Sequence, residues 1–229
     1  AAAPVSAFLS VPTRAHAGTK ARVVVIGGGY GGATAAKYLR KMDPALDVTL
    51  VERQPIYTSC PFSNEVLSGH GNIEDLQVGY DGLKQHGVNV VFDDATGIDA
   101  EKKSVSLKSG ATLNYDALVV SPGVDFNYAA IEGYGEELAH TTHPHAWKAG
   151  DQTVALKKKI EAMRDGENFV LSVPKGPFRC PPGPYERASQ VARYLRDHGL
   201  KKSKVLILDA NDSFSKKGLF EQSCILQYP

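Results

Sequence analysis

The sequence predicts an α/β protein made of two strand–helix–strand units, the second incomplete, and three observations carry that expectation. The first is Arg22-Val-Val-Val-Ile-Gly-Gly-Gly-Tyr-Gly-Gly-Ala-Thr-Ala-Ala36: a β-branched apolar run, a glycine-rich turn, then small helix-forming residues. The second is Asp47-Val-Thr-Leu-Val-Glu52, another apolar run that ends in a carboxylate. The third is a later repeat of the same order, with a strand over 169–174, a helix over 185–200 and a strand over 204–209. Strands that alternate with helices indicate parallel sheets with helical crossovers.

The glycines fit G-x-G-x-x-G as Gly27, Gly29 and Gly32. In a Rossmann-like dinucleotide site the first permits the tight turn. The second lets the backbone approach a pyrophosphate, and the third lets the helix pack close to the strand. Free N–H groups and the positive end of the helix dipole then face the phosphates. Glu52 lies 20 residues beyond Gly32, where an acidic side chain accepts hydrogen bonds from an adenosine ribose. A carboxylate there would repel a 2′-phosphate, so NAD or FAD is favoured over NADP. The helix after the turn is expected to bury Ala33, Ala36, Tyr38, Leu39 and Met42, to expose Lys37, Arg40 and Lys41, and to end at Asp43-Pro44.

The 229 residues are 42% hydrophobic and 22% charged, the composition of a soluble globular protein. The 26 basic and 25 acidic residues leave a net charge of +1, which carries no nucleic-acid or membrane-surface footprint. No apolar run approaches the ~20 residues that span a bilayer. Cys60, Cys180 and Cys224 are too few and too dispersed for a disulfide framework or a zinc site, and no metal site is expected. Residues 1–18 read as the back half of a secretory signal peptide, cut after Ala17 at Ala15-His16-Ala17. The last residues stop without a closing element, so the sequence reads as part of a longer chain.

The first dinucleotide-binding unit is placed at 19–150 and the second at 151–229. Residues 53–79, with two aromatics, two prolines and Cys60 in their first half, exceed an ordinary strand–helix connection, and long loops there are often functional. A short helix is expected over 80–87 and a strand over 88–92. A hairpin follows, with strands at 99–108 and 112–115 about Ser109-Gly110. A last strand ends in the small-residue turn Ser121-Pro122-Gly123. In the second unit an amphipathic helix is expected over 151–164. Where a nucleotide turn belongs, the chain has Lys175-Gly-Pro-Phe-Arg-Cys-Pro-Pro-Gly-Pro-Tyr-Glu186. Proline has no N–H to offer a pyrophosphate, so NAD(P)H is not the expected partner. Cys180, before a helix and beside Arg179, is either a reactive thiol of lowered pKa or a structural cysteine under the proline turn. Glu186 stands in the first helical turn, where its charge is favourable in any case.

These residues together resemble the flavoprotein subunit of flavocytochrome c sulfide dehydrogenase, a relative of the disulfide-reductase flavoproteins. The resemblance runs over about 19–217. It rests on the glycine stretch, Cys60-Pro-Phe-Ser-Asn-Glu-Val66, Tyr80-Asp-Gly-Leu83, Ala95-Thr-Gly-Ile-Asp99, His145-Ala-Trp-Lys-Ala-Gly150 and Pro177-Phe-Arg-Cys-Pro-Pro-Gly-Pro-Tyr-Glu-Arg-Ala-Ser-Gln190. The resemblance implies FAD as cofactor, held by Gly27, Gly29, Gly32 and Glu52 and approached again by the turn at Gly123. It implies that Cys60 is bound through sulfur to the flavin 8α carbon, which spacing alone would not suggest, since Cys60 otherwise reads as a buried free thiol. Cys180 matches one half of a redox-active disulfide, and Glu186 matches an acidic residue that handles a proton near the flavin. The implied reaction is two-electron oxidation of sulfide in the periplasm, with electrons leaving to a c-type cytochrome subunit. No Cys-x-x-Cys-His occurs here, so the haem belongs to that partner. The second redox cysteine has no match, since Cys224 lies too early, and residues 221–229 depart from the pattern.

Three other readings remain. One is a membrane-surface sulfide:quinone oxidoreductase, disfavoured by the leader and the Cys60 loop. Another is an NAD(P)H-dependent disulfide or ferredoxin reductase, disfavoured by the proline-filled turn. The third is an FAD-binding or haem-subunit-docking fragment, inactive by truncation.

Overall fold

The computed structural model describes residues 20–227, with side chains described to residue 223. The leader expected over 1–17 lies outside the described residues. In chain order the elements are β1 (Arg22–Ile26), α1 (Tyr30–Met42), β2 (Asp47–Glu52), β3 (Ile56–Thr58), α2 (Ser63–Leu67), β4 (Gln77–Gly79), α3 (Asp81–Gln85), β5 (Asn89–Phe92), β6 (Ala95–Asp99), β7 (Ser104–Leu107), β8 (Thr112–Asn114) and β9 (Ala117–Val120). There follow α4 (Glu136–His140), α5 (Asp151–Glu161), β10 (Asn168–Val173), α6 (Gly183–Asp197), β11 (Lys204–Asp209) and α7 (Lys217–Gln227).

Contacts group the described part of Ala1–Pro55 with Tyr80–Gly123 as one unit. Its sheet runs β5-β2-β1-β9, all parallel, with Val25 registered against Leu50 on one side and Val119 on the other. A strand flanked on both sides and covered by a helix must be apolar throughout, which is why Val23, Val24 and Val25 are consecutive and buried. Each fully buried aliphatic side chain, such as Val25 or Leu50, contributes about 1.5–3 kcal/mol. A second sheet, β6-β7-β8, is inserted before β9 and adds Val105 and Leu107 to a core with Val24, Val51 and Tyr115.

Two local expectations change here. The strand expected over 99–108 is broken, because Asp99 ends β6, its Oδ1 accepts the Lys102 N–H at 2.8 Å, and Lys103 turns at φ +51° into β7. In α1 the buried stripe is Gly32 and Ala36, four apart, whereas Tyr38 and Met42 are exposed. The helix lies so close to the sheet that only small residues fit on its inner side. Arg40, expected in solvent, is half-buried and donates to the Pro44 carbonyl at 2.6 Å and to that of Leu46, closing the turn into β2.

Ile56–Gly79 and Val124–Pro229 form the other unit. By contacts, residues 56–79 and 124–150 therefore go with the second strand–helix–strand segment, a division unlike the linear one at 150. The reason is packing: Leu67 of α2 and Ala146 join Leu156 and Ile160 of α5 and Val191, Tyr194 and Leu195 of α6 in one apolar core. Here β10 and β11 pair in parallel, from Asn168 against Lys204 to Val173 against Asp209. Among the described residues no helix is long and apolar enough to cross a membrane.

Candidate functional site

In the first unit the glycine turn is shaped by close approach. Gly27 has φ +94°, and a Cβ on it would stand 2.1 Å from the Ser121 carbonyl oxygen. A Cβ on Gly32 would stand 1.8 Å from the carbonyl oxygen of Gly27, so α1 sits directly on the turn. Gly29 is the N-cap of α1, without a capping side chain, and the first helical turn carries no acidic residue. That leaves N–H groups and the positive dipole end for an anion. Glu52 closes β2 beside the turn: its Oε2 accepts the Gly28 N–H at 2.6 Å and its Oε1 the Gln54 N–H at 3.0 Å. The structure therefore brings Gly27, Gly29, Gly32 and Glu52 together. Tyr80, read from the sequence as a helix start and as part of a motif of the resemblance, is buried and donates its hydroxyl to the Gly28 carbonyl at 3.1 Å. Gly123, at φ +80°, ends the turn that begins with Ser121, whose N–H donates to the Ile26 carbonyl.

In the second unit the proline-filled turn displays Cys180. It is exposed, unpaired, and held at φ +59°, a left-handed conformation that costs a non-glycine residue energy and is frequent at functional sites. Trp147 holds this turn. Its indole N–H donates to the Arg179 carbonyl at 3.0 Å, and its ring packs so tightly on Gly183 that a Cβ there would lie 2.8 Å from it and 3.1 Å from the Cys180 sulfur. The backbone carbonyl of Trp147 accepts the thiol of half-buried Cys60 at 3.6 Å. One residue thus touches both the Cys60 loop and the Cys180 turn.

Arg187, one residue after Glu186, is buried at 4% exposure. Its Nε donates to Asn64 Oδ1 at 3.1 Å, its Nη2 to the Ala146 carbonyl at 2.8 Å and its Nη1 to the His145 carbonyl, while the guanidinium lies 4.7 Å from the Trp147 ring centroid. Burial pulls its pKa down to about 10, opposed by the nearby Cys60, Glu186 and Cys180 side chains, so it stays charged at neutral pH. His145 is pushed down to about 4 by burial and then by Arg187 and His140, and is neutral. Its Nδ1 accepts the Trp147 N–H at 2.9 Å, which puts its proton on Nε2, facing Tyr128. Glu186 is exposed in the first turn of α6. The sequence places Trp147 and Arg187 inside the motifs of the resemblance but gives neither a role of its own. The available signal was spacing, because Arg187, Val191 and Leu195 fall four apart on the buried face of α6.

At the end of β11, where a nucleotide site would place its ribose-binding acid, Asp209 is already engaged. Its Oδ1 accepts the Asn211 N–H at 2.9 Å and side-chain amide at 2.8 Å, its Oδ2 accepts the Tyr185 hydroxyl, and Phe214 stacks on Tyr185 with centroids 3.5 Å apart. The cavity left beside them, about 200 Å³, is smaller than the ~300–1,000 Å³ of ordinary cofactor sites. The Tyr185 hydroxyl holds Asp209 below the usual carboxylate range. The stability this contributes is full above that range and is lost as pH falls through the lowered value. Tyr185→Phe is expected to cost about 1–3 kcal/mol at neutral pH, with the difference from wild type shrinking in acid, as read by urea unfolding at both pH values.

The family model of the pyridine nucleotide-disulphide oxidoreductases matches residues 21–164, and that of the central part of the sulfide dehydrogenase [flavocytochrome c] flavoprotein chain matches 153–229. The flavoprotein chain of sulfide dehydrogenase [flavocytochrome c] from Chlorobaculum thiosulfatiphilum is 65% identical over 49 residues, the whole of that sequence and 21% of this chain. The chain belongs to the pyridine nucleotide-disulphide oxidoreductases and, among them, to the flavocytochrome c sulfide dehydrogenase flavoprotein chains. In this flavoprotein chain the family match continues to residue 229, past the point near 217 where the resemblance of individual motifs ends, so residues 221–229 do not fall outside the family pattern. The sulfide-quinone reductase of Aquifex aeolicus is 33% identical over 182 residues, 78% of this chain and 40% of that protein. The solved sulfide:quinone oxidoreductase from the same organism superposes with a TM-score of 0.76 at 24% identity, over 90% of this chain and 49% of the other, and shows the shared fold. The flavoprotein chain thus spans less than half the length of these quinone-linked relatives.

Proposed function

We propose that this chain is the FAD-binding and sulfur-reactive part of a periplasmic flavoprotein that oxidises sulfide and passes the electrons to a c-type cytochrome subunit. The observation that carries the reading is Cys180, exposed and strained in the turn where a second nucleotide would otherwise bind. The closed Asp209 clamp supports the absence of that second nucleotide and disfavours an NAD(P)H-dependent reductase.

Gly27 and Gly32 let the turn close against Ser121 and α1, and the uncapped start of α1 at Gly29 suits a pyrophosphate. Glu52 would hold the adenosine ribose, and Cys60 the flavin through a thioether. When bound, FAD supplies the two-electron acceptor. In the oxidised enzyme Cys180 is disulfide-bonded to a cysteine from the C-terminal half of the full-length protein. Hydrosulfide attacks the Cys180 sulfur and forms a new S–S bond, and the partner cysteine leaves as a thiolate carrying the electron pair of the broken bond. Glu186 takes the proton of the bound hydrosulfide.

The covalent link has a simple readout. Acid precipitation of the full-length holoprotein is expected to leave yellow flavin in the pellet, and Cys60→Ala to release it to the supernatant. Wild-type flavin found wholly in the supernatant would remove the link and favour a quinone-linked reading.

A further inference from the structure

We infer that Arg187 is a positioning residue that supplies the standing positive charge for an anionic sulfur at Cys180, with Trp147 fixing it against the Cys180 turn. The inference rests on the sulfur-reactive role proposed for Cys180.

A buried guanidinium costs several kcal/mol unless its hydrogen bonds and its charge are both answered. Its hydrogen bonds are answered here by neutral groups alone: the Asn64 side chain and the His145 and Ala146 carbonyls. Beyond the face of the Trp147 ring, no anion answers its charge, since among the described residues no carboxylate forms an ion pair with it. The groups whose charge it feels are Cys60, Glu186 and Cys180. Glu186 is exposed and water-screened, and Cys60 is the residue proposed to be capped by flavin. Cys180 is then the group whose ionisation would complete the pair. The geometry agrees, because the Trp147 ring carries the guanidinium and also packs against Gly183, where the Cys180 sulfur lies. Arg suits this place better than Lys, since its planar fork serves three acceptors while its face lies on the indole.

The test is the pH dependence of iodoacetamide alkylation at Cys180 in the reduced full-length holoprotein, read by peptide mass spectrometry. The charged or titratable groups around the thiol are Arg187 and Glu186 on α6, Arg179 in the turn, Cys60, and neutral His145 behind Trp147. Arg187→Gln is expected to slow alkylation at neutral pH about tenfold by moving the midpoint upward. Arg187→Lys is expected to recover most of the rate, and Glu186→Gln, at an exposed and water-screened position, to move the midpoint little. A midpoint that Arg187→Gln leaves unchanged overturns the inference. So does a wild-type midpoint no lower than the ~8.5 of an ordinary thiol, a readout that holds should Arg187→Gln fail to fold. Alkylation needs no turnover, so a shifted midpoint in a protein that does not oxidise sulfide would sink the proposed function and leave this inference standing.

Discussion

Gly32→Ala is expected to destabilise the first unit by about 3 kcal/mol or more and to strip the protein of flavin. The added methyl would sit 1.8 Å from the Gly27 carbonyl oxygen. The Cβ is fixed directly on the backbone of α1 and the oxygen belongs to the backbone of the turn, so no rotamer change relieves the clash. Either α1 retreats from β1, opening the packing around Ala36, or the turn rotates and its N–H groups point away from a pyrophosphate. The comparison is Gly82→Ala in α3, where the new methyl meets nothing within 4 Å. There a helical alanine is expected to be neutral or to stabilise by up to about 1 kcal/mol. Urea unfolding and flavin content of the two variants check both expectations.

Cys180→Ser is expected to abolish sulfide oxidation, by about a thousandfold or more, while leaving the fold and bound flavin intact. Cys180 is exposed, so the smaller hydroxyl leaves no cavity. Its contacts, the Trp147–Arg179 hydrogen bond and the packing at Gly183, are made by neighbours and survive. The hydroxyl oxygen can neither enter a disulfide nor accept a second sulfur. Cytochrome c reduction by sulfide, beside the visible flavin spectrum and the unfolding curve, separates lost chemistry from lost structure.

The parts of this protein written in adjacent residues were legible. The strand–turn–helix from Arg22 to Met42, Glu52 at the end of β2 and the proline-filled turn at Cys180 each follow from local sterics and backbone donors. What escaped depends on pairs far apart in sequence. Arg187 meets Asn64, 123 residues away, and the Trp147 N–H meets Arg179 across 32. Neither Trp nor Arg has a spacing rule that announces such a partner. Tyr38 and Met42 misled for the opposite reason. They are apolar at helical spacing, but the glycine-lined approach of α1 to the sheet leaves room only for Gly32 and Ala36.

The central claim, that sulfide delivers electrons to flavin through Cys180, is tested most directly by anaerobic titration of the full-length holoprotein, following the yellow flavin absorbance. The expected result is bleaching by sulfide in wild type, none by sulfide in Cys180→Ser, and none by NADH in either. Bleaching by NADH but not by sulfide, or equal bleaching by sulfide with and without Cys180, would contradict it.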